Sequence, residues 1–182
     1  VQEFDIVSMV KSSATYAVIV KDPKEIKFHL EKAYYLSLEG RPGPVWVDIP
    51  ANIQNAEIDP KRLKGFEIKK KKKNKHALDE KIKRVAKLLT QYDKPVLHLG
   101  QGVKIAGGET YLRKLLNNCQ IPFALTWNAS DLIESNHPNY IGRPGAFAER
   151  GTNFIIQNCN LYIALGTRLP FMVTGYNAKD FA

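Results

Sequence analysis

Residues 40–50, GRPGPVWVDIP, constrain the fold more than any other part of this 182-residue chain. Pro42, Pro44 and Pro50 fix φ and cannot donate to a β-ladder, so they bracket the apolar run Val45-Trp46-Val47, which stops at Asp48-Ile49, sharply on both sides. An unbroken Val/Trp/Val/Ile run of this kind suits a strand covered by helices on both faces. Upstream, residues 16–20 read as another strand. Asp22, Pro23 and Glu25 then spell a helix start, with an N-cap, a proline at the first helical position and a capping-box-like acid. Ile26, Leu30, Ala33 or Tyr34, and Leu38 recur at helical spacing, and Gly40 is placed to stop the helix. Strand, crossover-length helix and strand predict two parallel strands.

The alternation resumes at residue 78. Leu78, Ile82, Val85, Leu88 and Leu89 predict the inner face of a helix, and residues 95–99 a strand ending in Gly100-Gln101-Gly102. Gly107-Gly108 precedes a helix with Tyr111, Leu112, Leu115, Leu116 and Cys119 on one face. Residues 122–127 read as a strand, 146–158 as a helix, and 161–165 as a strand ending in Gly166. The sum is an α/β chain whose second half is a doubly wound, Rossmann-like parallel sheet. It is preceded by a β-α-β piece of another α/β domain. Residues 51–77 carry little periodicity and read as a basic linker between a first domain, 1–50, and a second, 78–182.

The net charge of +9 is a local property. Residues 61–84 hold 12 of the 27 basic residues against only Glu67, Asp79 and Glu80, and the rest of the chain is neutral. No aromatic residue interleaves the tract Lys69 to Lys73 and no recognition motif flanks it, so it reads as a solvated run, and nucleic acid is not an expected partner. No apolar run reaches membrane-spanning length and no basic-then-apolar leader opens the chain, which places the expectation in the cytoplasm, off the membrane. The opening Val1-Gln2-Glu3-Phe4, without an initiator Met, is expected of a fragment or of a processed chain. Cys119 and Cys159 are too few for a disulfide framework and read as packed, reduced thiols. His29, His76, His98 and His137 show no metal-ligand spacing, so no metal site is expected in this chain.

Three strand ends in the second half carry glycine or small polar residues: Gly100-Gln101-Gly102, Thr126-Trp127-Asn128 and Gly166-Thr167-Arg168. In an open parallel sheet, ligands bind beyond the carboxyl ends of strands. Glycines there let the backbone approach a phosphate, and Arg168 can pair with a diphosphate in a forked geometry. The loop Gly142-Arg143-Pro144-Gly145 offers a fourth wall. A plain tight turn is the competing reading of each strand end, but four together favour a nucleotide-sized groove. The third glycine of a dinucleotide fingerprint and a ribose-binding acid at the next strand end are both missing, which disfavours ordinary NAD binding. His98, between Leu97 and Leu99, reads as a satisfied buried histidine, and Asp48 as a carboxylate bonding local backbone amides.

The strings VQEFDIVSMVK (1–11), YAVIVKDP (16–23), GRPGPVWVDIP (40–50), PVLHLGQG (95–102), NFIIQNCNLYIALGTRL (153–169) and VTG (173–175), in this order, resemble acetolactate synthase-like thiamine diphosphate-dependent enzymes. The family has three α/β domains. The resemblance implies that residues 1–50 close the first, pyrimidine-binding domain and that 78–182 form most of the second, central domain. It implies thiamine diphosphate and Mg2+ for the parent enzyme, a small 2-oxo acid substrate such as pyruvate, and a homo-oligomer, dimer or tetramer. A glutamate upstream of Val1 and a G-D-G…N motif in the third domain anchor thiamine in the family, so the remaining domains are partners of this one and it is not expected to be catalytic alone.

Flavin-containing members bind FAD in the central domain. The matching positions are Gly100, Gln101, Gly102, Thr126, Trp127, Gly142, Arg143, Pro144, Gly145, Gly166, Thr167 and Arg168, with Lys11 where the synthases carry an arginine near the cofactor. Gln2 matches a glutamine facing the active site. The chain departs from the synthases in two places. They read R-F-D-D-R-V-T-G where this chain has Arg168-Leu169-Pro170-Phe171-Met172-Val173-Thr174-Gly175, without either acid, and Ala51 replaces a common lysine. Two alternatives stay open: another thiamine diphosphate-dependent decarboxylase or lyase, and a stand-alone nucleotide-binding regulatory module.

Overall fold

The computed structural model describes residues 4–68, 75–177 and 180–182. The chain divides into two compact units, Val1–Lys72 and Lys73–Ala182.

In the first unit, β1 (Tyr16–Ile19) and β2 (Val45–Asp48) run parallel, Tyr16 opposite Val45 and Ile19 opposite Asp48. The helix joining them starts as anticipated: the Asp22 carboxylate accepts the Lys24 amide at 2.9 Å, and Pro23 opens a single 3-10 turn. The helix proper, α2 (Ile26–Leu38), follows, and Gly40 leaves it at φ +66°. Glu25 turns its carboxylate toward His29, 3.5 Å away. A short α1 (Ile6–Val10) precedes β1, capped by Asp5, whose Oδ1 accepts the Ser8 amide at 3.0 Å. Beyond α3 (Ala51–Gln54) the chain folds back over α2. Phe66 lies with its ring centroid 5.6 Å from each of the rings of Phe28 and Tyr35, and its amide donates to Glu31 Oε2 at 2.7 Å.

One expectation about this unit is corrected. Residues 45–49 do not form a fully buried strand: Trp46 is 40% exposed and no residue of β2 is buried. Among the described residues its sheet has two strands, so β2 has one described neighbour there.

The second unit is built on three parallel strands in the order β4 (Phe123–Leu125), β3 (Pro95–Leu99), β5 (Leu161–Leu165). The chain leaves β3 for one side and returns on the other, so β3 is the switch point of a doubly wound sheet. Period-two alternation sorts the strand residues onto two faces. Leu97, Leu99, Phe123 and Leu125 pack with Leu112 and Leu116 of α6 (Glu109–Asn118) and with Leu132 and Ile133. On the opposite face Val96 and Ala124 pack with Ile156 of α7 (Arg150–Gln157). Residues 140–142 extend the ladder outside β4, the Ile141 amide donating to Phe123 O at 2.9 Å. Two single-turn helices, α5 (Gly102–Ile105) and α8 (Phe171–Thr174), follow β3 and β5.

The helix read from residue 78 is α4 (Lys75–Gln91); Leu88 and Leu89 of its apolar stripe are half-buried, but the rest of the stripe is not an inner face here. Leu78, Ile82 and Val85 are 57, 56 and 43% exposed, because no other described part of the unit covers that side. Tyr111 also points to solvent, and α6 buries Leu112 and Leu116 instead. The helix expected over 146–158 begins only at Arg150. Residue Ala146 is held in the preceding loop, its amide donating to Met172 O at 2.8 Å. His98 is fully buried, as read, but it is satisfied on one side only: Nδ1 is hydrogen-bonded to the Tyr162 hydroxyl, and Nε2 has no partner among the described residues.

Candidate functional site

The anticipated strand ends converge at one edge of the second unit's sheet. A Cβ on Gly100 would stand 2.5 Å from Gly166 O, and one on Gly102 would stand 2.6 Å from the same atom. The main chains of the β3 and β5 ends therefore touch each other. The Gly100 amide donates to Leu165 O at 2.9 Å and the Gly102 amide to Gly166 O at 2.8 Å. These two donors are used within the protein, and the missing Cβ at both glycines lets the two turns pack together. Gly166 makes its part of the turn at φ +62°. Thr167 packs against Gly100, while Arg168 stays exposed beyond β5.

A concave site forms instead on the β4 side. A pocket of about 300 Å³ is lined by Trp127, Arg143, Phe147, Ala148 and Glu149. Trp127 follows β4 in a 3-10 turn, and the preceding Thr126 ties that end to β3, donating its amide to Leu99 O at 2.9 Å. Trp127 is 56% and Phe147 71% exposed, so the walls are aromatic surfaces open to a ligand. The Arg143 guanidinium lies 6.0 Å from the Trp127 ring centroid, within reach of a cation–π contact.

The loop carrying Arg143 is held by the start of α7. Asn153 brackets Gly145 with two hydrogen bonds of 2.9 Å, accepting its amide and donating to its carbonyl. Thr152 Oγ1 donates to Ile141 O. Glu149 Oε2 accepts the Arg143 amide at 2.9 Å, and that bond is the main reason its carboxyl titrates below the usual range. Gly142 (φ +104°) and Gly145 (φ +124°) adopt backbone conformations that favour glycine, and Pro144 is buried between them.

Gln101 adds a different kind of signal. Its Oε1, at the β3 end, is buried with no hydrogen-bond partner among the described residues. Buried acceptors are normally satisfied, so this atom fits a donor supplied by a bound group. Sequence reasoning missed Phe147, Glu149 and Asn153, although a carboxylate and an amide shortly after a Gly-x-x-Gly loop are the residue types that brace one. Lys11 lies in the first unit at the C-cap of α1, and Gln2 and the tract Lys69 to Lys73 lie outside the described residues. Asp48 accepts the Val20 amide through its main-chain carbonyl, at 2.9 Å. Among the described residues no group of three or more His, Cys, Asp or Glu side chains could hold a metal ion, and no helix is long and apolar enough to cross a membrane.

A sequence model of the family described as "Thiamine pyrophosphate enzyme, central domain" matches residues 82–182. The probable acetolactate synthase large subunit of Methanocaldococcus jannaschii is 31% identical over 182 residues, spanning 96% of this chain and 30% of that protein. The acetolactate synthase large subunit of Corynebacterium glutamicum is 34% identical over 179 residues, 96% of this chain and 28% of its own. The isozyme 2 large subunit of Escherichia coli is 30% identical over 176 residues, 96% and 31%. The chain thus spans about 30% of the length of these curated relatives.

Proposed function

The chain belongs to the thiamine pyrophosphate enzyme family, whose central domain matches residues 82–182, and from that premise we propose that the full-length protein is a thiamine diphosphate-dependent carboligase of the acetolactate synthase type. The observation that carries this is the similarity to acetolactate synthase large subunits over 96% of the chain, across both structural units. On this reading the first unit ends the pyrimidine-binding domain and the second is the central domain. Thiamine diphosphate, bound with Mg2+, supplies the carbon–carbon bond chemistry toward a 2-oxo acid such as pyruvate. The protein works in the cytoplasm as a homo-oligomer.

Within that enzyme the second unit serves as scaffold and as a cradle for FAD or an adenine nucleotide. Support comes from the open aromatic wall of Trp127 and Phe147, the Arg143 cation beside it, and the unsatisfied Gln101 acceptor. In this proposal Trp127 offers a stacking face, Arg143 a charge for a phosphate, and Gln101 an acceptor for a ligand donor. Gly100, Gly102 and Gly166 hold the strand ends together beside it, with Thr167 packed against them. Arg168, Lys11 and Gln2 belong to the site only through the family resemblance. A second reading, another thiamine diphosphate-dependent decarboxylase or lyase, is favoured by one departure: the segment after Arg168 reads Leu-Pro-Phe-Met and lacks the paired acids of the synthases.

Pyruvate, thiamine diphosphate and Mg2+ given to the purified full-length protein provide the test. Acetolactate should form, and formation should stop when thiamine diphosphate is withheld. Thiamine-dependent turnover of a different 2-oxo acid would favour the second reading, and no thiamine-dependent turnover of any 2-oxo acid would overturn both.

A further inference from the structure

Glu149 makes two separable contacts beside the Trp127 pocket. Its Oε2 accepts the Arg143 amide at 2.9 Å, an ordinary hydrogen bond. Its Oε1 stands 3.7 Å from the Arg143 guanidinium, near the outer limit of an ion pair and too long for a charge-assisted hydrogen bond. Arg143 therefore lies between the indole of Trp127 and a carboxylate, and all three line the same pocket. A backbone amide and a guanidinium on one residue are a donor pair suited to a phosphate. In this fold a carboxylate of the protein already occupies the amide and neutralises the guanidinium without locking it.

Building on the nucleotide reading above, we propose that Glu149 is a built-in competing anion that weakens this site for phosphate groups and leaves the planar ring of the ligand to dominate selection. An incoming phosphate must draw the guanidinium away from Glu149, while the amide bond to Oε2 keeps the 142–145 loop in place. Ring stacking on Trp127 has no such competitor. The loose 3.7 Å contact makes the guanidinium the movable half of the pair and the 2.9 Å amide bond the fixed half. Glu149 is in this sense a specificity-determining residue that need not touch the ring.

ADP and adenosine, titrated into the full-length protein by calorimetry, separate the charge from the ring. The wild type should bind the two within a few-fold of each other. Glu149→Gln keeps an acceptor for the Arg143 amide and removes the charge. It should tighten ADP by about two- to fivefold, the scale of a partly exposed ion pair, and leave adenosine unchanged. ADP binding should also become more salt-sensitive in the variant, because one cation is then uncompensated. Wild-type binding alone provides a check that does not depend on the variant folding: ADP affinity should fall only slightly as salt is raised. Unchanged or weaker ADP binding by Glu149→Gln with wild-type adenosine binding, or a steep salt dependence in the wild type, would overturn the competitor role and leave the nucleotide reading intact. Failure of the wild type to bind ADP, adenosine or FAD would overturn both.

Discussion

Gly100 and Gly166 meet so closely at the carboxyl ends of β3 and β5 that a Cβ on Gly100 would stand 2.5 Å from the Gly166 carbonyl oxygen. That oxygen also accepts the Gly102 amide at 2.8 Å, so one atom of the β5 turn organises the whole β3 turn. The contact sets how far apart the ends of β3 and β5 can lie.

Gly100→Ala should therefore force these turns apart and cost about 1–3 kcal/mol, as overpacking does elsewhere. Gly151 lies inside α7 with nothing within 4 Å of an added Cβ. Gly151→Ala should stabilise by about 0.5–1 kcal/mol, through helix propensity alone. Denaturant unfolding of the two variants beside the wild type checks both signs.

A second prediction concerns His98. Burial lowers its pKa from 6.5 to about 4, and the neighbouring phenol of Tyr162 is raised by the same burial. The unfolded chain thus binds a proton between these values that the folded chain does not. Stability is fully present above pH 6.5 and is lost as the pH falls toward 4, by on the order of 3 kcal/mol for this one group. In His98→Phe, the difference in unfolding free energy from wild type should change by that amount across this window. A pH-independent difference would contradict the account.

Much of this architecture was legible in the chain because the signals are local. Pro95 and Gly100 bound β3, Asp22-Pro23 starts the helix before β2, and the strand–helix–strand order specifies parallel strands; all appear in the fold. What was not legible depends on contacts between distant residues. The packing of Gly100 on Gly166 is one such contact, because sequence spacing cannot show that a turn 66 positions later lies against it. The helix expected from residue 146 starts at Arg150 because Met172 holds the Ala146 amide. Of the four anticipated walls, the 142–145 loop and the β4 end build the pocket, whereas Arg168 stays outside its lining.

The Asn153 bracket yields a third prediction. Asn153→Ala deletes both 2.9 Å hydrogen bonds to Gly145 and leaves a buried amide and carbonyl unpaired, at a cost of about 1–3 kcal/mol. Asn153→Asp keeps the acceptor for the Gly145 amide and places a carboxylate against the Gly145 carbonyl, so it should recover only part of the loss. Thermal unfolding midpoints, ordered wild type, Asp, Ala, are the expected result. An unchanged midpoint for the Ala variant would show that the loop is held by other contacts.

The nucleotide cradle is tested most directly by the visible spectrum of the purified full-length protein, before and after incubation with FAD and gel filtration. The account predicts a retained flavin band and FAD recovered on denaturation, or saturable uptake of an adenine nucleotide that Trp127→Ala weakens by about fivefold or more, the loss expected for a stacking face. A colourless protein that takes up neither FAD nor an adenine nucleotide, or one whose uptake is indifferent to Trp127→Ala, would contradict it.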